Sequence, residues 1–143
     1  MIFKIQPKDF NYQVEVVSCF CEWQAKILLL CRQDQKQYGN TWGPPAGKVA
    51  EGETPELAMA RELYEESGIR VEAGKLNYFD KFYVRYPEYD FLFHIFQTSF
   101  KRLPKISIRM EEHKSHLWIL PKEALDLNLI RDEDEVIKHF YRF

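Results

Sequence analysis

The chain has 143 residues, with 45% hydrophobic and 29% charged side chains and a formal net charge of −2 at pH 7. A chain of this length can bury about two thirds of its unfolded surface in one core, so residues 1–143 are expected to form a single domain. The small net charge excludes a general attraction to nucleic acid or to an anionic membrane, and without a long apolar run or a signal-peptide layout the expected location is the cytoplasm.

The first half of the chain predicts a β-hairpin followed by an irregular loop. Residues 12–21 are rich in β-forming side chains, residues 25–32 are largely apolar, and a short polar link joins them. Cys19, Cys21 and Cys31 fall in these strands without the paired spacing of a zinc site, and we interpret them as reduced and buried. Two prolines at 44 and 45 then exclude a regular ladder and lead the chain to Gly47.

A helix is predicted between Thr54 and Gly68. Thr54 can cap its start, Pro55 suits the first helical position, and Gly68 can adopt the left-handed conformation that ends many helices. Helical spacing predicts an apolar arc on one side of this helix and an acidic arc on the other. The apolar arc contains Leu57, Ala60, Leu63, Tyr64 and Ser67, and the acidic arc contains Glu62, Glu65 and Glu66.

The acidic arc needs a counter-charge, because carboxylates three and four residues apart on a helix repel one another. Clustered carboxylates are hard oxygen ligands, and a divalent cation such as Mg²⁺ binds them while it bridges to phosphate oxygens. From the residues alone, an acidic helix face that is simply solvated stays open as the alternative.

The second half of the chain predicts another hairpin, over residues 75–85 and 90–100, whose second strand is apolar on both faces. His94 in that strand is interpreted as a core or pocket residue. A basic loop at 101–114, a strand at 115–120, a short helix from Pro121 and an amphipathic helix after Asp132 follow. Strands on both sides of a central helix, with another helix at the end, predict a mixed sheet between helices.

The spacing around the acidic arc is specific. Gly47 is followed after five residues by Glu53, and after seven more by a run from Arg61 to Ile69 that contains the three glutamates and Gly68. This pattern resembles the signature of the Nudix hydrolases, and every specified position is filled. The resemblance implies an α/β/α sandwich with a mixed central sheet, and an enzyme that hydrolyses a nucleoside diphosphate linked to another group.

The resemblance also implies a metal site. Glu62, Glu65 and Glu66 match carboxylates that hold Mg²⁺ or Mn²⁺, and the backbone carbonyl of Ala46 matches an additional ligand. Glu53 and Arg61 match a pair in which the arginine braces the loop and orients a ligand, as the neighbours of metal ligands commonly do.

A general base is needed as well. Glu112, six residues before Trp118, resembles the glutamate of MutT-like members that acts as base or as a further ligand, whereas an ordinary loop acid is the alternative. Glu111, Glu65 and Glu66 are the competing candidates for the base.

Substrate contacts are predicted from position and residue type. Arg32 resembles a phosphate-contacting arginine of MutT-like proteins and Lys48 is a second candidate, with a plain surface cation as the alternative for each. Trp42 and Tyr86 are candidates for stacking on a base, together with two phenylalanines at 79 and 82, although large aromatics also serve simply as core.

The resemblance points first to a nucleoside triphosphate, possibly oxidised, that is cleaved to the monophosphate and pyrophosphate. Tyr86 keeps diadenosine polyphosphates open, and ADP-ribose or nucleotide sugars are further alternatives. A Nudix-fold domain that senses nucleotides without cleaving them is the alternative from a different class. The expected partner is a small nucleotide, with no nucleic acid and no membrane, and the expected assembly is a monomer or a homodimer.

Overall fold

A computed structural model describes all 143 residues. Its strands are β1 (Ile2–Phe3), β2 (Tyr12–Trp23), β3 (Lys26–Arg32), β4 (Trp42–Gly43), β5 (Ala46–Lys48), β6 (Asn77–Arg85), β7 (Asp90–Ser99) and β8 (His113–Ile119). Its α-helices are α1 (Pro55–Ser67), α2 (Pro121–Ala124) and α3 (Glu133–Tyr141). None of these helices has the length and apolar composition that a membrane crossing requires.

All eight strands belong to one mixed sheet, in the order β1-β6-β7-β2-β3-β4, with β5 beside β2 and β8 beside β3. The pair β2 and β7 is parallel, and every other pair is antiparallel. Both predicted hairpins are present, as β2–β3 and β6–β7, with small shifts at their ends. The predicted mixed sheet is therefore confirmed.

The first hairpin splits open, and this split positions the functional loop. β2 and β3 pair only near their turn, where Trp23 faces Lys26. Further along, β3 pairs with β4 and β8, while β2 pairs with β5 at Val16 to Ser18. The amide of Cys19 donates to the carbonyl of Pro45 at 3.1 Å, so the proline-containing loop lies against β2 and delivers Gly47 to the middle of the sheet.

Two hydrophobic clusters cover the two faces of the sheet. Side chains from β2, β3 and β7 pack against α1 on one face, around Val17, Cys19, Met59, Leu63 and Phe96. On the other face the sheet packs against α2 and α3, around Phe20, Leu29, Ile95, Val136 and Ile137. This arrangement is the predicted α/β/α sandwich. The three cysteines are free and buried, as the sequence predicts.

The ends of α1 are as predicted, but the buried face of the helix does not coincide with the apolar arc. The Thr54 hydroxyl accepts from the amide of Leu57 at 3.2 Å, and Gly68 is left-handed with φ 78. Leu57 and Tyr64 of the apolar arc are 54% and 46% exposed, whereas Glu66 of the acidic arc is only 9% exposed. The sheet covers the side of α1 that carries Met59. Glu66, at the edge of the acidic arc nearest to Met59, is therefore buried, and the edge of the apolar arc farthest from Met59 meets solvent.

Candidate active site

Arg61 gathers three carboxylates around one guanidinium. It contacts Glu53 at 2.9 and 3.0 Å, Glu62 at 2.8 Å and Glu65 at 3.2 Å, and it also donates to the backbone carbonyl of Lys48 at 3.0 Å. Hydrogen bonds from Arg61 and from a backbone amide lower the pKa of Glu53 to about 2. The arginine therefore ties the loop before α1 to two of the three predicted metal ligands.

Glu66 is the buried member of the acidic arc. Its Oε1 accepts from the amide of Ala46 at 2.8 Å, which brings the carboxyl beside the peptide unit whose carbonyl is the further predicted ligand. Burial raises its pKa to about 8, and the charges of Glu62 and Glu112 add to this effect while Arg32 opposes it. Glu66 thus has a backbone donor but no side-chain cation in contact.

Gly47 allows α1 to approach β5 closely. A Cβ placed on Gly47 would overlap the carboxyl group of Glu62, so this position has no room for a side chain. Burial also raises the pKa of Glu62, despite its contact with Arg61. The loop and the helix therefore press Ala46, Glu62 and Glu66 into one small region.

The residues of this region fit a divalent cation. No group of three or more His, Cys, Asp or Glu side chains is arranged so as to hold a metal ion in the structure, because Arg61 holds Glu62 and Glu65. The donors are nevertheless all oxygens, the set that Mg²⁺ prefers. Glu62 and Glu66 both have a raised pKa through burial, and a bound cation offsets that cost because it favours the ionised form. Their role as ligands stays a prediction.

A cavity of about 350 Å³ opens beside the carboxylates. Its wall combines residues from the α1 face of the sheet with residues from the start of α3 on the opposite face. The wall includes Arg32, Ala46, Gly47, Lys48, Glu66 and His113, the aromatic side chains of Tyr38, Tyr86, Tyr89, Phe91 and Phe93, and Arg131, Asp132 and Glu133. A wider groove of about 1020 Å³ runs between Tyr64 and Phe100, but none of the predicted ligands lines it.

Three of the four predicted substrate contacts line this cavity. Arg32 lines it while its Nε donates to the carbonyl of Gln37 at 2.8 Å, and Lys48 lies 5.9 Å from the ring centre of Tyr89. Tyr86 lines it and packs edge-on against Tyr38, with ring centres 5.7 Å apart.

The other predicted aromatic contacts lie elsewhere. Trp42 does not line the cavity, because β4 pairs with β3 and directs the indole into the cluster beside α3. Phe79 packs against Phe140, with ring centres 4.5 Å apart, and Phe82 is in the core. The structure supports the alternative interpretation, an aromatic core, for Phe82 and for Trp42, which packs against the core, whereas Phe79 is 40% exposed.

Glu112 lies close enough to the carboxylates for its charge to raise the pKa of Glu66. It is outside the cavity wall, and its Oε1 lies 3.4 Å from the amino group of Lys36. The backbone of Glu112 is fixed to the end of β3, because its carbonyl accepts from the amide of Gln33 at 3.0 Å. Its role as base or ligand therefore stays a prediction.

Two buried polar residues of the cavity were not predicted from the sequence. Glu133 is 3% exposed, its Oε2 has no hydrogen-bond partner, and burial raises its pKa to about 8. His113 is 5% exposed, its Nδ1 has no partner, and burial together with the charge of Arg32 lowers its pKa to about 4. The only sequence signals were the acidic first turn of the last helix and the histidine that follows Glu112.

Comparison with known proteins identifies the family. A profile of the NUDIX domain matches residues 11–140. The chain belongs to the Nudix family. Its structure is similar to that of the Escherichia coli ORF135 protein, with a TM-score of 0.75 and 27% identity over 90% of this chain and 89% of that one. It is also similar to a MutT protein from Methanosarcina mazei Go1, with a TM-score of 0.78 and 21% identity over 95% and 97% of the two chains.

Two kinds of curated relative are similar to this Nudix chain in sequence. An RNA pyrophosphohydrolase of Psychromonas ingrahamii is 31% identical over 88% of this chain and 59% of its own length, and one of Actinobacillus succinogenes is 39% identical over 54% and 38%. The chain thus spans only part of these RNA pyrophosphohydrolases. CTP pyrophosphohydrolase of Escherichia coli (strain K12) is 29% identical over 89% of this chain and 90% of its own length.

Proposed function

We propose that this chain is a divalent-metal-dependent pyrophosphohydrolase that cleaves a nucleoside triphosphate to the monophosphate and pyrophosphate. The observation that carries the proposal is the single cavity that reaches from Glu66 on α1 to Glu133 on α3. One side of its wall carries the groups that polyphosphate chemistry needs, and the other carries groups suited to a nucleobase.

The α1 side of the cavity suits the phosphates. Arg32 and Lys48 bring two positive charges to the wall that also contains Glu66 and the Ala46 peptide. Nε is the only nitrogen of the Arg32 guanidinium that bonds to the protein, so its two terminal NH₂ groups stay available for the bidentate contact that guanidinium makes with phosphate. Carboxylates and unpaired cations in one wall suit a ligand that brings both phosphate and metal.

The α3 side of the cavity suits a nucleobase. Tyr38 and Tyr86 present ring surface, and Glu133 presents a carboxyl whose Oε2 lacks a partner. Ligand pockets commonly combine an aromatic wall with a few unpaired polar groups that fix orientation. A planar heterocycle with hydrogen-bonding groups at its edge satisfies both features, whereas a second phosphate group satisfies neither.

In the proposed reaction a water oxygen attacks the α-phosphorus, the bond from this phosphorus to the α–β bridging oxygen breaks, and pyrophosphate leaves with that oxygen. A bound Mg²⁺ or Mn²⁺ would neutralise the phosphate oxygens and lower the pKa of a coordinated water. Arg32 and Lys48 would bind and orient the polyphosphate. Glu112 would accept the water proton, with Glu65 as the competing acceptor, and Arg61 would keep the acidic arc in position through Glu53 and the Lys48 carbonyl.

The test is formation of the products of each substrate in a panel, separated by chromatography: pyrophosphate and a monophosphate from a nucleoside triphosphate, or a nucleotide and its phosphorylated partner from the other substrates. The purified chain is incubated with Mg²⁺ or Mn²⁺ and with canonical and oxidised nucleoside triphosphates, diadenosine polyphosphates, ADP-ribose or nucleotide sugars. We expect metal-dependent turnover that EDTA abolishes and a preference for triphosphates. Nucleotide binding without turnover would identify a sensor and contradict the proposal, and a preference for diadenosine polyphosphates or ADP-ribose would contradict the substrate.

A second candidate is removal of pyrophosphate from the 5′ end of RNA, favoured by the names of the relatives from Psychromonas ingrahamii and Actinobacillus succinogenes. The same α–β phosphoanhydride bond breaks, but the nucleoside that carries the triphosphate is the first nucleoside of an RNA chain. A 5′-triphosphorylated oligonucleotide added to the panel separates the two candidates. Faster turnover of the oligonucleotide than of any free triphosphate would favour the RNA substrate.

A further inference from the structure

His113 is a buried side chain to which the proposed reaction gives no role. It is 5% exposed and lines the cavity together with Arg32 and Glu66. Its Nδ1 has no hydrogen-bond partner, and no other side chain bonds to its ring. Polar atoms buried in native proteins are nearly always paired, so this ring needs an explanation that the protein alone does not supply.

A β-bulge determines which way this ring faces. Along the ladder between β3 and β8, Cys31 faces Ser115, but the next residue, Arg32, faces His113, so Lys114 is an extra residue. Side chains of a regular strand alternate between the two faces of a sheet. The extra residue therefore moves His113 from the face of Ser115 to the face of Arg32. Bulges are frequent next to active sites because they redirect one side chain in this way.

The bulge is held firmly by its neighbours. The amide of His113 donates to the carbonyl of Arg109 at 2.9 Å, and its carbonyl accepts from Nε2 of Gln33 at 3.4 Å. The extra residue, Lys114, points away and pairs with Asp34 at 2.6 Å. Backbone bonds on both sides, together with an anchored Lys114, hold the imidazole in the cavity wall beside Arg32.

Burial also indicates which ring nitrogen faces a ligand. An unpaired N–H that is fully buried is rarer in proteins than an unpaired acceptor. Because Nδ1 is both buried and unpaired, we assign the lone pair to Nδ1 and the proton to Nε2. The ring therefore offers its Nε2–H as a donor to whatever occupies the cavity.

We infer that His113 is a substrate-contacting residue whose Nε2–H donates a hydrogen bond to a phosphate oxygen, beside the contact that Arg32 makes. This inference rests on the proposed function, because it assigns the phosphates to the α1 side of the cavity. No protein group accepts a hydrogen bond from this ring in the structure, Arg32 beside it is a cation that pairs with phosphate, and Oε1 of Glu66 is occupied by the Ala46 amide. The ligand class is an inorganic or nucleoside polyphosphate.

Two side chains that mimic the two ring nitrogens test the inference. The amide nitrogen of glutamine can take the place of Nε2, whereas that of asparagine reaches only as far as Nδ1. We therefore compare His113→Gln, His113→Asn and His113→Leu with the wild type. His116→Leu is the control, since His116 is an exposed histidine on the same strand. The measurements are kcat/KM and, by calorimetry with Mg²⁺ present, the affinity for inorganic pyrophosphate.

A lost hydrogen bond to a charged acceptor corresponds to about a 10- to 100-fold change. We expect this loss in both measurements for His113→Asn and His113→Leu, and near-normal values for His113→Gln and His116→Leu. A folded His113→Leu with unchanged pyrophosphate affinity would overturn the inference. If His113→Leu does not fold, equal losses for the glutamine and asparagine variants would overturn it instead.

The proposed function fails separately. A wild type that binds pyrophosphate with Mg²⁺ but cleaves no nucleoside triphosphate would contradict the proposed function. The pyrophosphate titration of the His113 variants would still decide whether this residue contacts phosphate.

Discussion

The two sides of the cavity each contain a buried glutamate, and the two glutamates differ in what surrounds them. Glu66 on α1 and Glu133 on α3 are 9% and 3% exposed, and burial raises the pKa of each to about 8. Glu66 accepts from the amide of Ala46 and has other carboxylates nearby. Oε2 of Glu133 has no partner, and its wall is aromatic.

This difference shows that similar burial supports different chemistry. A carboxyl beside other carboxylates and a backbone carbonyl is a site for a cation, which relieves the desolvation of the whole group. A carboxyl beside aromatic rings, with the opposite charges of Arg131 and Asp132 in the same wall, gains little from an isolated cation and more from a neutral ligand that both donates and accepts. We therefore assign the metal ion to the Glu66 side of the cavity and the nucleobase of the substrate to the Glu133 side. Substitutions on the two sides test this division.

The largest expected effect comes from Glu66→Gln. The substitution keeps the volume and an acceptor for the Ala46 amide, but it removes a charge from the proposed metal site. We expect turnover to fall by several orders of magnitude with little change in folding. Steady-state kinetics and a thermal melt measure the two quantities. Glu133→Gln, which removes the same group from the other side, should keep most of kcat, and equal losses in the two variants would contradict the division.

The sequence predicted the parts of the site that local rules determine. The caps of α1, the placement of the three glutamates on one helix and the two hairpins depend on residues near each other in the chain, and each is present. The motif also places Glu53 eight residues before Arg61, and the two are in contact. Such features need only backbone preferences and helical spacing.

The rest of the site depends on packing that no short stretch determines. Helical spacing located the acidic arc of α1, but the side that the sheet covers determines burial, so Leu57 of the apolar arc is exposed and Glu66 of the acidic arc is buried. Trp42 was expected in the substrate pocket, but the pairing of β4 with β3 places it in the core. Glu133 became part of the cavity only because α3 packs against the far face of the sheet.

Stability should depend on pH through both glutamates. A glutamate whose folded pKa is raised to about 8 binds more protons in the native state than in the unfolded state above about pH 4.5. The free energy of unfolding therefore falls as pH rises to about 8 and then levels off, by up to about 1.4 kcal/mol per pH unit for each group. Glu53 adds little to this slope above pH 5, since it is largely ionised in both states there, whereas His113, whose folded pKa is lowered to about 4, opposes the slope below about pH 6.5.

Urea denaturation in EDTA at pH 5, 6.5 and 8 measures this slope. We expect Glu133→Gln to remove part of it and to be more stable than the wild type at pH 8. Mg²⁺ should reduce the pH dependence of the free energy of unfolding that comes from Glu66 and should not change the pH dependence that comes from Glu133. The reason is that only the Glu66 side of the cavity is assigned a cation. An equal effect of Mg²⁺ on the wild type and on Glu66→Gln would contradict that assignment.

Gly47→Ala tests the close approach of the loop to α1. The backbone of Gly47 is not left-handed, so alanine is strained only by space, where its Cβ would overlap the carboxyl of Glu62. Displacing Glu62 should lower kcat/KM by about 10- to 100-fold, the range found when the neighbours that orient a metal ligand are lost, and should weaken activation by Mg²⁺. Gly74→Ala, where a Cβ meets nothing within 4 Å, is the control. A normal metal titration for Gly47→Ala would show that Glu62 is not a ligand.

The smallest expected effect is on the discrimination between nucleobases that we assign to Glu133. The best nucleoside triphosphate with an exocyclic amine, such as CTP or ATP, is compared with its analogue that lacks the amine, in the wild type and in Glu133→Leu. Loss of one hydrogen bond between neutral groups should lower kcat/KM of the wild type by up to about tenfold for the analogue. Glu133→Leu should treat the two substrates alike, because the group that distinguishes them is gone. Glu135→Gln removes an exposed charge from the same turn of α3 and should keep the wild-type ratio. A wild-type ratio that survives in Glu133→Leu would show that the base is recognised elsewhere in the cavity.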